Sequence, residues 1–154
     1  VTRLLFVCTG NICRSPTADA VARAVSLRDG LGWIVDSVGT GGWHVGEHPD
    51  VRAVQAGAAR GYDLSRLSAR QLVPVDFNRF DHVIALDGSH LRDMQRLAPP
   101  DATARMSRLL DWLPDGPGGD VPDPYYGDLS DFEHVLDLVE AAVAGLAQQL
   151  QPNG

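Results

Sequence analysis

Apolar positions along the chain fall into two rhythms. "RLLFVC" at 3–8 is an almost unbroken apolar run, the signature of a strand covered on both faces of a parallel sheet. From Pro16 the pattern turns helical in "PTADAVARAVSLRDG": proline suits a first helical position, Ala18, Val21, Ala22 and Val25 share one face, and Gly30 makes a stop. "WIVDSV" at 33–38 predicts a second strand, followed by the glycine-rich loop "GTGGWHVGEHPD". A helix is expected over about 49–60, and "FDHVIALD" at 80–87 predicts a third strand. Ser89 is a candidate cap for a helix running to Leu97, stopped by Pro99 and Pro100. "TARMSRLL" holds a weaker fourth strand, and the Pro-, Gly- and Asp-rich stretch 111–128 reads as loop. The last helix, from Ser130 with a capping-box spacing to Glu133, carries an apolar stripe of Phe132, Val135, Leu136, Val139, Val143 and Leu146.

Strands alternating with helices predict a three-layer α/β sandwich with a four-stranded parallel sheet. Without repeat or linker, the whole of 1–154 is expected to be a single domain. No run of about 18 apolar residues suggests a membrane span, and no basic-then-apolar leader is visible, so a cytoplasmic protein is expected. The net charge of −7, with both signs interspersed, argues against a nucleic-acid surface. All 13 basic residues other than histidine are arginines, and the absence of lysine rules out Schiff-base chemistry and a lysine-dependent nucleotide loop. Two cysteines are too few for a disulfide scaffold or a four-cysteine zinc site.

Both cysteines fall in "FVCTGNICRSP", residues 6–16, at the junction of first strand and first helix. Open α/β sheets bind ligands beyond the carboxyl ends of their strands. Gly10 and Asn11 tolerate left-handed backbone angles, so the loop from Thr9 through Gly10, Asn11, Ile12, Cys13, Arg14 and Ser15 curls with its N–H groups inward. The helix adds its positive end and Arg14 a planar fork that matches phosphate oxygens. Cys8 lies at the floor, where a helix N-terminus and a guanidinium favour thiolate over thiol. A strand-end cysteine is ordinarily just core; the flanking Gly-Asn, Ser-Pro and helix favour an anion cradle around a nucleophile. An acid must protonate any leaving oxygen, and Asp123 in "GDVPDPYYGDLSD" is the best candidate, its backbone stiffened by Pro122 and Pro124. Trp43, Tyr125, Tyr126 and Ile12 are candidate walls of a cleft over the loop. His44 and His48 read as surface residues.

"VCTGNICRSPTADAV" resembles the signature of the low-molecular-weight protein tyrosine phosphatases, and the likeness continues through "DSVGTGGWHVGEHPD", "ARQL", "ALD" and "DPYYGD". The resemblance implies a flavodoxin-like strand order 2-1-3-4 with helices on both faces. It also implies hydrolysis of protein phosphotyrosine through a cysteinyl-phosphate, with Cys8 as nucleophile, Arg14 binding phosphate and Asp123 as general acid and base. Asn11 and Ser15 would support the loop, with Ser37 expected to stand in where Leu67 departs from the family, and Cys13 would be a redox partner for Cys8. No cofactor or metal is implied. Expected partners are a phosphotyrosine protein, with inorganic phosphate or vanadate as ligands; a monomer or weak dimer is expected, binding neither nucleic acid nor membrane.

Three positions depart from the family pattern: Leu67 where a histidine commonly supports the loop asparagine, Val38 where a small residue is common, and His90 where asparagine is usual. None is expected to touch Cys8, Arg14 or Asp123. Two enzymes resembling this scaffold remain as rivals. Arsenate reductases need further cysteines, and none follows Cys13; arginine phosphatases tend to carry threonine where Ile12 stands. A non-catalytic phosphopeptide-binding module is a third alternative.

Overall fold

In the computed structural model, which describes residues 1–116 and 118–150, four parallel strands form one sheet: β1 (Arg3–Cys8), β2 (Ile34–Gly39), β3 (His82–Ala85) and β4 (Arg105–Arg108). Their order is β2-β1-β3-β4, as the sequence implied. Side-chain alternation along β1 splits its apolar run between two layers. Leu4, Phe6 and Cys8 enter a core shared with α1 (Arg14–Asp29), α2 (Val51–Ala59) and α5 (Leu129–Gln149). Leu5 and Val7 face the opposite core, with Phe77 of the short α3 (Asp76–Arg79) and Met94 of α4 (Gly88–Leu97). Helices therefore cover both faces.

The predicted stripe of α5 is buried along its length, and Ala18, Val21, Ala22 and Val25 of α1 are likewise inside. Boundaries shift where polar side chains do the capping. Asp87, two residues before the expected Ser89, accepts from His90 N and caps α4. Asp128 rather than Ser130 caps α5, with Asp131 completing its box. In both cases an aspartate standing two residues upstream reaches the same free N–H groups as the serine would have. Helix α1 starts at Arg14, two residues before Pro16. The short helix α3 went unpredicted; it is held by a buried carboxylate, Asp76, which accepts from Val73 N and from both Arg70 Nη atoms.

β1 ends at the middle of the sheet. The segment after it, together with the segments after β2 and β3, builds the site at their carboxyl ends. Thr40 N donates to Cys8 O at 2.8 Å and Gly41 N to Thr9 O at 3.0 Å, tying the β2 loop to the β1 loop. Gly39 permits that approach, because a Cβ there would lie 2.6 Å from Thr9 O. Among the described residues no helix is long and apolar enough to cross a membrane.

Candidate active site

Residues 9–13 curl between β1 and α1, with Asn11 at φ 58°, the one non-glycine residue among those described with a left-handed backbone. An asparagine tolerates that angle at low cost. Its side chain also stitches the loop together. Asn11 Nδ2 donates to Ser15 Oγ at 2.8 Å and to Ser37 Oγ at 3.0 Å, while Oδ1 accepts from Arg70 N at 3.0 Å. Both amide protons and the carbonyl are thus used, so the buried amide is satisfied. Leu67 packs half-buried against the larger core and is not among those partners; the polar support comes from Ser37 and the Arg70 backbone. Val38 contributes its carbonyl, which accepts from Ser15 Oγ at 3.3 Å.

Cys8 and Cys13 are both free and buried. Cys8 Sγ lies 2.9 Å from Ser15 Oγ. Since Ser15 accepts from Asn11, its single proton is available to the sulfur or to the Val38 carbonyl, and an ionised sulfur claims it. α1 begins directly beneath, with no side-chain cap on its first turn and no acidic residue in it, so its positive end faces the loop. Burial, and secondly the Asp50 carboxylate, push the Cys13 thiol up to about 12.

Arg14 is buried at the base. Its Nη1 donates to Asp87 Oδ2 and to Val121 O, both at 2.8 Å. Nη2 lies 3.4 Å from His90 Nε2 and 3.9 Å from Asp123 Oδ2. The expectation that His90 stays clear of the reacting groups is therefore wrong: α4 starts at the end of β3, which points its first turn back at the loop. Burial, then the charge of Arg14, push the His90 imidazole down to about 4. Burial raises the Asp87 carboxyl, but hydrogen bonds from Ser89 and Arg14 outweigh it and leave Asp87 at about 2.

Asp123 stands across the site, its side chain half exposed, with Oδ1 accepting from Tyr125 N at 3.0 Å. Its loop is clasped by Arg52, which donates to Tyr125 O and Gly127 O at 2.9 Å each while also holding Asp50. Asp50 N in turn donates to Ile12 O at 2.8 Å. A cavity of about 310 Å³ lies between the two loops, with Cys8, Cys13 and Arg14 below and Asp123 at the side. Thr9, Gly10, Ile12, Trp43, Tyr125 and Tyr126 complete its walls. Tyr125 and Tyr126 meet edge to face at 5.1 Å. The Trp43 indole lies against Gly41, where a Cβ would overlap it, and is largely exposed. His44 also lines the cavity, its partly exposed side chain placing Nδ1 2.8 Å from Glu47 Oε2. His48 stays outside, 3.2 Å from Leu67 O. Among the described residues no group of three or more His, Cys, Asp or Glu side chains could hold a metal ion.

The profile of the low molecular weight phosphotyrosine protein phosphatases matches residues 3–154. The chain belongs to that family. A low molecular weight protein-tyrosine-phosphatase of Streptomyces coelicolor is 52% identical over 149 residues, covering 94% of this chain and 90% of its own. Among solved structures, a protein tyrosine phosphatase of Entamoeba histolytica with Hepes in its active site superposes with a TM-score of 0.92 at 36% identity, over 97% of each chain. The Drosophila arginine phosphatase superposes at 0.89 with 27% identity, covering 98% of this chain and 99% of its own. Membership of the family gives the β1–α1 loop and the "DPYYGD" segment a shared context. The polar contacts between them described above belong to this chain.

Proposed function

We propose that this chain hydrolyses phosphotyrosine in proteins, and small aryl phosphates, through a cysteinyl-phosphate. The observation that carries the reading is the placement of one sulfur. Cys8 lies at the floor of the cavity, facing the uncapped start of α1, with Arg14 beside it and Asp123 across from it. In the first step the Cys8 thiolate attacks phosphorus; the bond to the phenolic oxygen breaks as Asp123 gives that oxygen its proton. In the second step Asp123, now ionised, takes a proton from water as the water oxygen attacks phosphorus. The S–P bond breaks, releasing inorganic phosphate and the thiolate. Ser15 donates to the departing sulfur, and Arg14 with the loop amides carries the charge on the equatorial oxygens. Inorganic phosphate and vanadate are expected to occupy the same loop.

Tyrosine is favoured over phosphoarginine as the target for two reasons. Ile12 presents an aliphatic wall to the cavity, and identity to the named tyrosine phosphatases exceeds that to the arginine phosphatase. Cys13 is proposed as the resolving thiol when a peroxide oxidises Cys8. Its raised pKa keeps it protonated while Cys8 is attacked first; it then displaces water from the sulfenic acid to close a disulfide.

The test is turnover of p-nitrophenyl phosphate and of a phosphotyrosine peptide by the wild type and by Cys8→Ser. The wild type is expected to hydrolyse both and the serine variant neither, while the variant still binds vanadate. A reduced wild type with no turnover would sink the enzymatic reading in favour of a phosphopeptide-binding module.

A further inference from the structure

His90 is 1% exposed and its two ring nitrogens meet different partners. Nδ1 lies 3.3 Å from Asp87 Oδ1 without a hydrogen bond to it. Nε2 lies 2.8 Å from Thr9 Oγ1 and 3.4 Å from Arg14 Nη2. A guanidinium only donates, so Nε2 turns a lone pair toward Arg14 and the ring's proton belongs on Nδ1, facing the carboxylate. Nε2 has one lone pair, which the Thr9 hydroxyl at 2.8 Å and Arg14 Nη2 at 3.4 Å share. Thr9 thus anchors the Nε2 side of the ring, while Asp87, 3.3 Å from Nδ1 without a hydrogen bond to it, holds Arg14 through Oδ2.

The place of His90 has a consequence for the opposite wall. Arg14 Nη2 has two acceptors within reach: neutral His90 at 3.4 Å and the Asp123 carboxylate at 3.9 Å. A close ion pair between Arg14 and Asp123 would stabilise the ionised acid and turn it toward the guanidinium. The proposed reaction needs the opposite, a protonated Asp123 facing the leaving oxygen. We propose that His90, held by its hydrogen bond with Thr9 and with the Asp87 carboxylate beside its other nitrogen, is a positioning residue that keeps Arg14 on the loop side of the site and leaves Asp123 free to act as the acid. The inference rests on the phosphatase reading, and it concerns a position at which this chain departs from the usual asparagine.

The experiment compares wild type, His90→Phe, His90→Gln and Thr9→Val on p-nitrophenyl phosphate and on phenyl phosphate, whose leaving group depends far more on the acid. In His90→Phe the ring keeps its volume and loses its acceptor. Its kcat on phenyl phosphate is expected to fall roughly 10- to 100-fold and on p-nitrophenyl phosphate by no more than about threefold. The limb of its pH profile that reports protonated Asp123 should move to lower pH. His90→Gln, which returns an acceptor oxygen near the place of Nε2, should restore most of the loss, and Thr9→Val should show a weaker form of the same defect. Equal losses on both substrates, or none with an unmoved profile, overturn the proposal while leaving the phosphatase reading intact. Nitrogen NMR of the wild-type imidazole gives a second readout that needs neither turnover nor a folded variant. A proton on Nδ1 alone at neutral pH is expected, and a proton on Nε2 removes the acceptor facing Arg14 and overturns the proposal.

Discussion

The Ser15 hydroxyl stands 2.9 Å from the Cys8 sulfur while accepting a proton at 2.8 Å from Asn11. The hydroxyl proton then faces either the sulfur or the Val38 carbonyl at 3.3 Å, and an ionised sulfur draws it. Removing it in Ser15→Ala should leave phosphate binding nearly intact and slow the departure of sulfur from phosphorus. A kcat loss of about 10²-fold is expected, the order for one preorganised donor. Rapid-mixing kinetics should show a burst of phenol followed by slow turnover; a loss confined to KM would contradict the role.

Asp123→Ala removes the proposed acid. Turnover of phosphotyrosine peptide should drop by roughly 10²–10⁴-fold, the usual range for a general acid. Loss on p-nitrophenyl phosphate should be smaller, because that phenolate leaves with little help. A plot of rate against leaving-group acidity should steepen in the variant.

Iodoacetamide at neutral pH should label Cys8 and spare Cys13, whose thiol is pushed up to about 12 by burial and by Asp50 and so offers almost no thiolate. Peptide mass mapping reads this directly. Vanadate should protect the labelled site, and first labelling at Cys13 would reverse the assignment of which thiol reacts.

Acid should weaken the fold in two stages. The His90 imidazole, normally near 6.5, is held at about 4 in the folded chain, so the unfolded state binds the proton first as pH falls. Its contribution is complete above pH 6.5 and is lost between there and about 4, roughly 3 kcal/mol over the window. The groups acting on the ring are Arg14, Asp87, Asp93 and Asp123. Asp87, held at about 2 against an ordinary 3.8, then loses its contribution at still lower pH. Thermal melts should show Tm falling through the first window in wild type and much less in His90→Gln.

Gly39→Ala should be among the most damaging single-methyl additions to this chain. The added carbon would meet Thr9 O at 2.6 Å and Asn11 N at 3.1 Å, and both neighbours are backbone that cannot rotate aside. A Tm drop together with loss of vanadate binding is expected; an active variant with unchanged Tm would show that the loop yields more easily than this packing implies.

The parts of this protein legible in its sequence are those built from neighbours in the chain. Cys8, Asn11, Arg14 and Ser15 sit within one turn-and-helix segment, where glycine, asparagine and proline announce the curl. The strands were readable because apolar runs of that length have few alternatives. His90 and Val121 reach Arg14 across 76 and 107 residues of sequence, and no periodicity encodes such a meeting. The place of His44 at the cavity was illegible for a related reason: only folding brings the β2 loop over Gly10. The two misplaced caps show a smaller failure, since Asp87 and Ser89, like Asp128 and Ser130, are both good capping types and only geometry chooses between them.

Arg52 and Asp50 hang the acid-bearing segment and the sulfur-bearing loop from one hinge post at the start of α2. Both loops therefore share one anchor, so the gap between sulfur and acid is set by a single ion pair that also holds the backbone of a cavity-lining tyrosine.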